Sequence, residues 1–181
     1  MLLIPEVLKE FVAVNTINDT LTVKLNFRDL GNKYKNDEYR FHAFSGVNLH
    51  FNISKFDIVN KIGALFTSIK NIEIERIKID SFGDIFIDSC KAELIDPIIK
   101  AGYKKLIITN SDVKRINLDL DYMQNWNIDN CNVEEQSFTG SKKHNIVINR
   151  SSGIRYWIPK NKDAELGITL KGGDTTKITT L

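Results

Sequence analysis

Two cysteines are the residues of this sequence whose chemistry must be assigned first, because a thiolate can act as a nucleophile or bind a metal. Cys90 and Cys131 are far apart in the chain, and neither belongs to a Cys-x-x-Cys pair. Both follow an alternating apolar segment at the same offset, Cys90 after I-F-I-D-S and Cys131 after W-N-I-D-N. This shared position favours a structural role, because buried apolar cysteines are usually inert.

Carboxylates and histidines provide the other candidates for chemistry. Asp119-Leu120-Asp121 is similar to the Asp-x-Asp of metal-dependent glycosyl transfer, and with Asp129 it contains the only candidates for a carboxylate-dependent enzyme. A solvated loop explains three such residues more simply. The histidines follow no zinc-site spacing, and no phosphate-binding loop, nucleophile elbow or dinucleotide fingerprint is present. The sequence therefore predicts no catalytic residue, no metal site and no cofactor, and the protein is expected not to be an enzyme.

Composition restricts the class of protein that must position these residues. The chain has 181 residues, 42% hydrophobic and 27% charged, which is typical of one soluble domain with a substantial core. Its net charge is +2 and its lysines form short pairs, so the sequence does not support nucleic-acid binding. A signal peptide and a membrane span are not predicted. We therefore expect a cytoplasmic protein, and the abundance of Ile, Asn and Lys suggests a low-GC bacterium or one of its phages, whose virion is the alternative location.

Residues 1–48 predict a small N-terminal α+β cap made of a helix plus a hairpin. Leu2 to Val14 has the apolar spacing of a short helix, with Pro5 in its first turn. Leu21 to Phe27 and Tyr39 to Phe44 alternate with period two, which predicts two strands. Further along, apolar residues spaced by three and four from Phe56 to Ile69 predict a helix. Asp96-Pro97 predicts the start of another short helix.

The rest of the chain, residues 49–181, contains a repeat. Ile108, Ile128, Ile148 and Ile168 recur at a constant interval of twenty, and one slightly longer step before Ile108 the segment I-F-I-D-S-C-K-A, residues 85–92, fits the same pattern. The pattern is apolar-x-apolar-x-x-polar-x-apolar. Its sixth place is occupied by small polar residues that can bond the unpaired amides of a bend: Cys90, Ser111, Cys131 and Ser151.

This pattern resembles the short form of the leucine-rich repeat found in bacterial proteins, over roughly residues 49–173. The resemblance implies an α/β fold, a leucine-rich-repeat-like solenoid with a mostly parallel sheet, which the N-terminal cap precedes in one structural unit. Repeats stack so that apolar side chains form continuous buried columns. Residues 72–88 are shorter than a full repeat and are interpreted as a local hairpin or a truncated turn. A parallel β-helix, or an ordinary α/β sheet, explains the first half of the repeat region nearly as well.

Strand side chains alternate between faces, so residues between the column positions should form the outer surface of the sheet. Two rows result: Phe86, Ile107, Asn127 and Val147, and beside them Asp88, Thr109, Asp129 and Asn149. An apolar strip bordered by polar groups is typical of a protein-binding site, unless the first fifty residues cover it. We therefore expect a non-catalytic interaction or structural protein whose partner is another protein, from a host or by self-assembly. The alternative is a phage or mobile-element protein, either a virion component or an inhibitor of a host factor.

Overall fold

The structure is a computed structural model that describes residues 2–3, 6–18, 20–33, 50–51, 58–61, 66–81, 83–99, 104–148, 153–170 and 178–181. The chain divides into two compact units, Met1–Ile53 and Ser54–Leu181. Among the described residues, no helix is both long enough and apolar enough to cross a bilayer.

The N-terminal unit is built around a β-hairpin. Strand β1 (Leu2–Leu3) pairs antiparallel with β4 (His50–Phe51), and a 3-10 helix (Glu6–Phe11) leads into the hairpin of β2 (Val12–Ile17) and β3 (Thr20–Leu25). Helix α1 (Phe27–Lys33) follows, and Asn26 caps it by accepting a hydrogen bond from the Asp29 amide. Among the described residues of this unit, the buried side chains are those of Leu8, Phe11 and Leu30.

The N-terminal unit contradicts one predicted element and contains another. The helix expected from Leu2 to Val14 is wrong, since the segment contains a strand, a single 3-10 helix and the start of β2. Short 3-10 helices often serve as connectors of this kind. Strand β3 agrees with the predicted strand from Leu21, but its partner is β2. The strand expected from Tyr39 to Phe44 lies outside the described residues.

The second unit is a β-solenoid of about five turns. Its strands are β5 (Ile58–Lys61), β6 (Phe66–Lys70), β7 (Glu73–Ser81), β8 (Asp84–Asp88), β9 (Lys91–Ile99), β10 (Leu106–Thr109), β11 (Asp112–Asp119), β12 (Trp126–Asp129), β13 (Asn132–Gly140), β14 (His144–Ile148), β15 (Ile154–Pro159), β16 (Leu166–Leu170) and β17 (Ile178–Thr180).

Successive strands of the solenoid alternate between sheets, and all of their pairings are parallel. The odd-numbered strands form one seven-stranded sheet in the order β17-β15-β13-β11-β9-β7-β5. Strands β12-β10-β8-β6 form a four-stranded sheet, and β14 pairs with β16. The predicted solenoid with a mostly parallel sheet is therefore confirmed. The only α-helix in the described part of the chain is α1, because the segments that return between rungs of the four-stranded sheet are themselves strands.

Backbone register confirms the repeat in its central turns. Ile87, Ile108 and Ile128 lie side by side, as do Ile85, Leu106 and Trp126. The preceding turn is shorter than these two, since Ile87 pairs on its other side with Ile69. Strands β7 and β8 belong to different sheets, so residues 72–88 form a truncated turn and not a hairpin. The constant interval fails at the last rung, where Ile168 pairs with Ile146 instead of Ile148.

Each long strand of the seven-stranded sheet bends near its start. In β11, Val113 and Ile116 are both buried although they are three positions apart, while Lys114 and Arg115 between them are exposed. Val113 pairs with Ala92 of β9 and Arg115 pairs with Leu94, whereas Lys114 at the bend has no registered partner in β9. The bend allows one strand to line two sides of a narrow core. It also produces an apolar spacing of three that resembles a helical pattern.

Two helix predictions for the solenoid are wrong. Ile58–Lys61 and Phe66–Lys70 are strands, although apolar spacings of three and four over Phe56 to Ile69 suggested a helix. The second helix was expected after Asp96-Pro97, but Pro97 lies within β9 and pairs with Ile79 of β7. On the side of β11 the registered pairing stops at Ile95, before the proline, which has no amide to donate.

Candidate interaction surface

The sharp turn between the two sheets places three of the predicted sixth residues, Cys90, Ser111 and Cys131, on the inner side of the solenoid. The fourth, Ser151, lies outside the described residues. Ser111 is buried, and its Oγ accepts a hydrogen bond from the Cys90 amide at 3.0 Å and donates one to the Thr109 carbonyl at 2.7 Å. Thus the prediction that this side chain bonds the amides of the bend is confirmed for Ser111. A small hydroxyl satisfies a donor and an acceptor that would otherwise be buried without partners.

The cysteines occupy the same place but bond differently. The Cys131 Sγ contacts the Asp129 and Ile108 carbonyl oxygens at 3.1 and 3.5 Å, and the Cys90 Sγ makes equivalent contacts with Asp88 and Ile69. Burial raises the pKa of both thiols, so that the thiolate form is disfavoured at neutral pH. These contacts assign both side chains to the turn and give neither the environment of a reactive thiol.

An asparagine-rich column precedes the sixth place and was missed by sequence reasoning. Asn71, Ser89, Asn110 and Asn130 adopt left-handed backbone conformations with φ between 49° and 55°. Asparagine tolerates this conformation better than other residues with a side chain. The Asn130 Nδ2 donates to the Asn110 Oδ1 at 2.6 Å, and the Asn110 Nδ2 donates to the Asp88 Oδ1 at 2.9 Å. The recurring Asn just before Cys or Ser was the available signal.

The four-stranded sheet carries the predicted surface rows on its outer side. Phe86, Ile107 and Asn127 are registered neighbours, between the inward residues of β8, β10 and β12. Phe86 and Ile107 are half-buried, whereas Asn127 is exposed. The structure extends this row to Ser68 of β6. We call this row, Ser68–Phe86–Ile107–Asn127, the apolar row, because its two central side chains are large and hydrophobic.

A polar row lies between the apolar row and the asparagine column. Asp88, Thr109 and Asp129 are registered neighbours, and Lys70 adjoins Asp88. The Thr109 Oγ1 donates to the Asp88 Oδ1 at 2.8 Å. Hydrogen bonds from Asn110 and then Thr109 hold the pKa of Asp88 below its ordinary value, so this carboxylate stays ionised. The polar row therefore gives the surface a fixed negative charge at Asp88.

Of the two remaining predicted surface residues, Val147 does not extend these rows as expected and Asn149 is untested. Val147 is half exposed, but it belongs to β14, which pairs with β16 and not with β12. The interval also changes beyond β14, since the β14–β16 register places Ile146 beside Ile168, a longer spacing than in the central turns. Asn149 lies outside the described residues. The surface that the structure brings together is therefore confined to β6, β8, β10 and β12.

A cluster of charged residues lies at the ends of β11, β13 and β15. The Lys160 Nζ contacts both carboxylate oxygens of Asp119 at 2.7 and 2.6 Å and the Asp121 Oδ2 at 2.8 Å. The Asp121 Oδ1 accepts the Ser141 amide at 3.0 Å and lies 3.1 Å from the His144 Nε2. Three successive turns of the solenoid thus meet at one pair of carboxylates. We call these five residues the charged cluster.

Local packing explains how the cluster forms. Gly140 leaves room for His144, since a Cβ atom at this position would lie 2.6 Å from the imidazole Cδ2 and would displace the ring. Burial alone would raise the pKa of Asp121, but hydrogen bonds from Lys160 and Ser141 reverse that effect and hold it well below its ordinary value. The pKa of Lys160 is raised, because its bonds to Asp119 and Asp121 outweigh the opposite effect of burial. These bonds therefore keep Asp121 as a carboxylate and Lys160 as a cation.

The structure brings together only two of the three carboxylates considered for catalysis. Asp119 and Asp121 share Lys160, whereas Asp129 belongs to the polar row of the other sheet. Of the three histidines, His144 joins the cluster, His50 lies in β4 of the N-terminal unit, and His42 is not described. Within the described ranges no three His, Cys, Asp or Glu side chains are placed to hold a metal ion. Comparisons of the chain with protein-family models, curated proteins and solved structures found no match.

Proposed function

We propose that this protein is a non-catalytic interaction or structural protein that binds a partner protein through the outer side of its four-stranded sheet. The observation that carries the proposal is the registered apolar row, in which Phe86 and Ile107 stand side by side on an outer face. Parallel strands fix the spacing of these side chains, so the surface needs little ordering on binding. Preorganisation of this kind reduces the entropic cost of association.

The chemistry of the two rows suits a protein partner. An apolar centre with a polar border is the usual anatomy of a protein interface. Phe86 and Ile107 supply the centre, and Asp88, Asp129 and Lys70 supply charged groups at the border. Each large apolar side chain that becomes fully buried contributes about 1–2 kcal/mol to association. The row is short, so the polar row is expected to contribute to specificity.

The contacts of the charged cluster argue against a catalytic role for its carboxylates. Lys160 lies where a divalent cation would have to bind to Asp119 and Asp121, and it already neutralises part of their charge. A carboxylate held by a lysine and a backbone amide is a poor general base, because its proton affinity is low. We assign the cluster to turn-to-turn attachment. Addition of Mn²⁺ or Mg²⁺ is expected to leave the melting temperature unchanged, and an increase would favour a carboxylate-dependent enzyme.

The experiment for the sheet surface is affinity capture with paired variants. The purified chain is immobilised and exposed to extract of its native host, and captured proteins are compared for wild type, Ile107→Arg and Ile154→Arg. Ile154 is an exposed isoleucine of the seven-stranded sheet, so its substitution adds the same charge on the other sheet. Loss of one captured protein with Ile107→Arg alone supports the proposal. Equal capture by all three chains rejects this face.

Three finer features of the sequence-based interpretation belong to this proposal. We propose that the strand and the following turn of each repeat are related to those of leucine-rich repeats. The inward positions of Cys90, Ser111 and Cys131 support this relationship. We propose that the N-terminal unit serves as a cap, which its separate compactness permits. A phage or mobile-element origin, with a virion or cytoplasmic location, is the alternative that composition suggests. Recovery of a capsid or tail protein in the capture experiment would favour it.

A further inference from the structure

The hairpin of the N-terminal unit has exposed apolar side chains and two strand edges. Strands β2 and β3 pair only with each other within the part of the chain that the structure describes. Val14 is 42% exposed, Leu21 is 40% exposed and Ile17 is 70% exposed. A two-stranded hairpin is marginally stable in water by itself, and three or more strands are usually needed. This hairpin therefore has the geometry of a sheet that additional strands would complete.

The two edges of the hairpin differ in their protection against pairing. Natural edge strands usually carry a charge, a proline or a bulge that prevents association. Strand β3 contains Lys24, but β2 reads V-A-V-N-T-I and contains no charge and no proline. Its register with β3 is continuous from Val12 to Ile17, so no bulge interrupts it. The unprotected edge is therefore that of β2.

Hairpin geometry determines which amides of β2 point outward. Ile17 pairs with Thr20 across a two-residue connection, in which Asn18 has a φ of 47°. The pair that closes such a turn is hydrogen-bonded, and hydrogen-bonded and non-hydrogen-bonded pairs then alternate. Val14 and Val23 form a non-hydrogen-bonded pair, so the amide of each points away from the other strand. Val12, Val14 and Thr16 supply the outward groups of β2.

We propose that β2 pairs antiparallel with β2 of a second copy of this chain, with Val14 opposite Val14 at the two-fold axis. In this register the outward main-chain N–H and C=O groups of Val12, Val14 and Thr16 all pair with those of the second copy. The pairing gives about six main-chain hydrogen bonds. The two hairpins become one four-stranded sheet, and Val14 and Val23 of both copies line the same face of it. A second copy fits this edge because β2 has no charged residue, so two copies of β2 can pair without placing like charges opposite one another.

The mass of the full chain, measured by light scattering and by sedimentation equilibrium over the micromolar range, tests this dimer. Wild type is expected to change from one chain to two as concentration rises. Val14→Pro removes an outward amide from the β2 edge and is expected to remain a single chain. Val23→Pro is the matched control, since it removes the directly opposite outward amide on β3, and it is expected to dimerise like wild type. A wild-type mass of one chain throughout would overturn the proposal, as would dimerisation of both proline variants.

Charge variants test the register and remain informative if proline disrupts the hairpin. Val14→Lys and Val14→Glu each place two like charges opposite one another, so each is expected to raise the dissociation constant at least about tenfold. An equimolar mixture of the two variants is expected to regain dimers, because lysine then faces glutamate. Dimers in either variant alone, at wild-type affinity, would overturn the proposed register. Failure of the mixture to associate, when each variant retains the circular dichroism spectrum of wild type, would overturn it too.

Discussion

At the scale of single residues, Asn110 combines a left-handed backbone with two side-chain hydrogen bonds along the asparagine column. We expect Asn110→Ala to lower the free energy of unfolding by about 1–2 kcal/mol, because alanine tolerates this conformation poorly. Asn110→Gly should cost less, since glycine accepts the same φ. Urea denaturation measures both. Asn132→Ala, at an exposed strand position, is the control, and an equal loss in all three variants would contradict a role for the backbone conformation.

The lowered pKa of Asp121 predicts a specific pH dependence of the free energy of unfolding. Burial alone would raise its pKa, but bonds from Lys160 and Ser141 hold that pKa in the folded protein below the ordinary value of 3.8. The folded state therefore binds its proton less readily than the unfolded state, so the stabilisation is complete above about pH 4 and is lost as pH falls further. Asp121→Asn should be less stable than wild type at pH 7 and lose less stability between pH 5 and pH 3.

Urea unfolding at several pH values checks this prediction for Asp121. Glu134→Gln, which removes an exposed carboxylate from the same sheet, serves as the control and should retain the wild-type slope. Lys160→Met should reduce the slope in the same direction as Asp121→Asn, because it removes the largest favourable partner of the carboxylate. A wild-type pH profile in both cluster variants would assign the acid sensitivity to other carboxylates.

At the scale of the strand, the side chains of β10 alternate between the core and the outer face. Neighbouring residues should therefore differ strongly in how well they tolerate a charged substitution. Ile108 has no exposed surface, whereas Ile107 lies on the outer apolar row. An arginine at 108 must place an unpaired charge in the core, so we expect Ile108→Arg to abolish cooperative unfolding. Ile107→Arg should change the free energy of unfolding by less than about 1 kcal/mol. Thermal unfolding followed by circular dichroism measures both, and similar curves for the pair would contradict the assigned faces.

Alternation of this kind is what the sequence predicted well, because side-chain direction in a strand depends only on local geometry. The columns through Ile87, Ile108 and Ile128, and the outer positions of Phe86 and Ile107, follow from it. The bends in the long strands could not be predicted from alternation. Buried residues three positions apart, such as Val113 and Ile116, have the same spacing as residues on one face of a helix. The helix predicted at 56–69 rested on spacings of three and four, but Ile58–Lys61 and Phe66–Lys70 are strands.

Contacts between distant turns were not predictable. Lys160 reaches back across two turns to Asp119 and Asp121. Turn length varies along this chain, from the short turn that pairs Ile69 with Ile87 to the long one that pairs Ile146 with Ile168. A fixed interval therefore cannot identify which side chains meet at the corner. Likewise, Val147 was assigned to the outer row by a constant interval that no longer applies at β14.

At the scale of the whole solenoid, each turn contacts mainly its neighbours, so stability should vary along the axis. Ile146 and Ile168 are registered partners in one column, yet Ile146 is 6% exposed and Ile168 is 40% exposed. We expect Ile146→Ala to cost about 2–5 kcal/mol and Ile168→Ala about 1 kcal/mol, because the partly exposed Ile168 side chain has less buried area to lose. Urea unfolding measures the difference.

Hydrogen exchange gives an independent measure of the same gradient. Amides of β8, β10 and β11, whose inward residues are fully buried, should exchange most slowly, and those of β16 and β17 most rapidly. Ile168→Ala should accelerate exchange in β16 while leaving β10 unchanged, whereas Ile146→Ala should accelerate both β14 and β16. If all strands instead exchanged at one rate in every variant, the solenoid would unfold as a single cooperative unit, and stability would not be local to neighbouring turns.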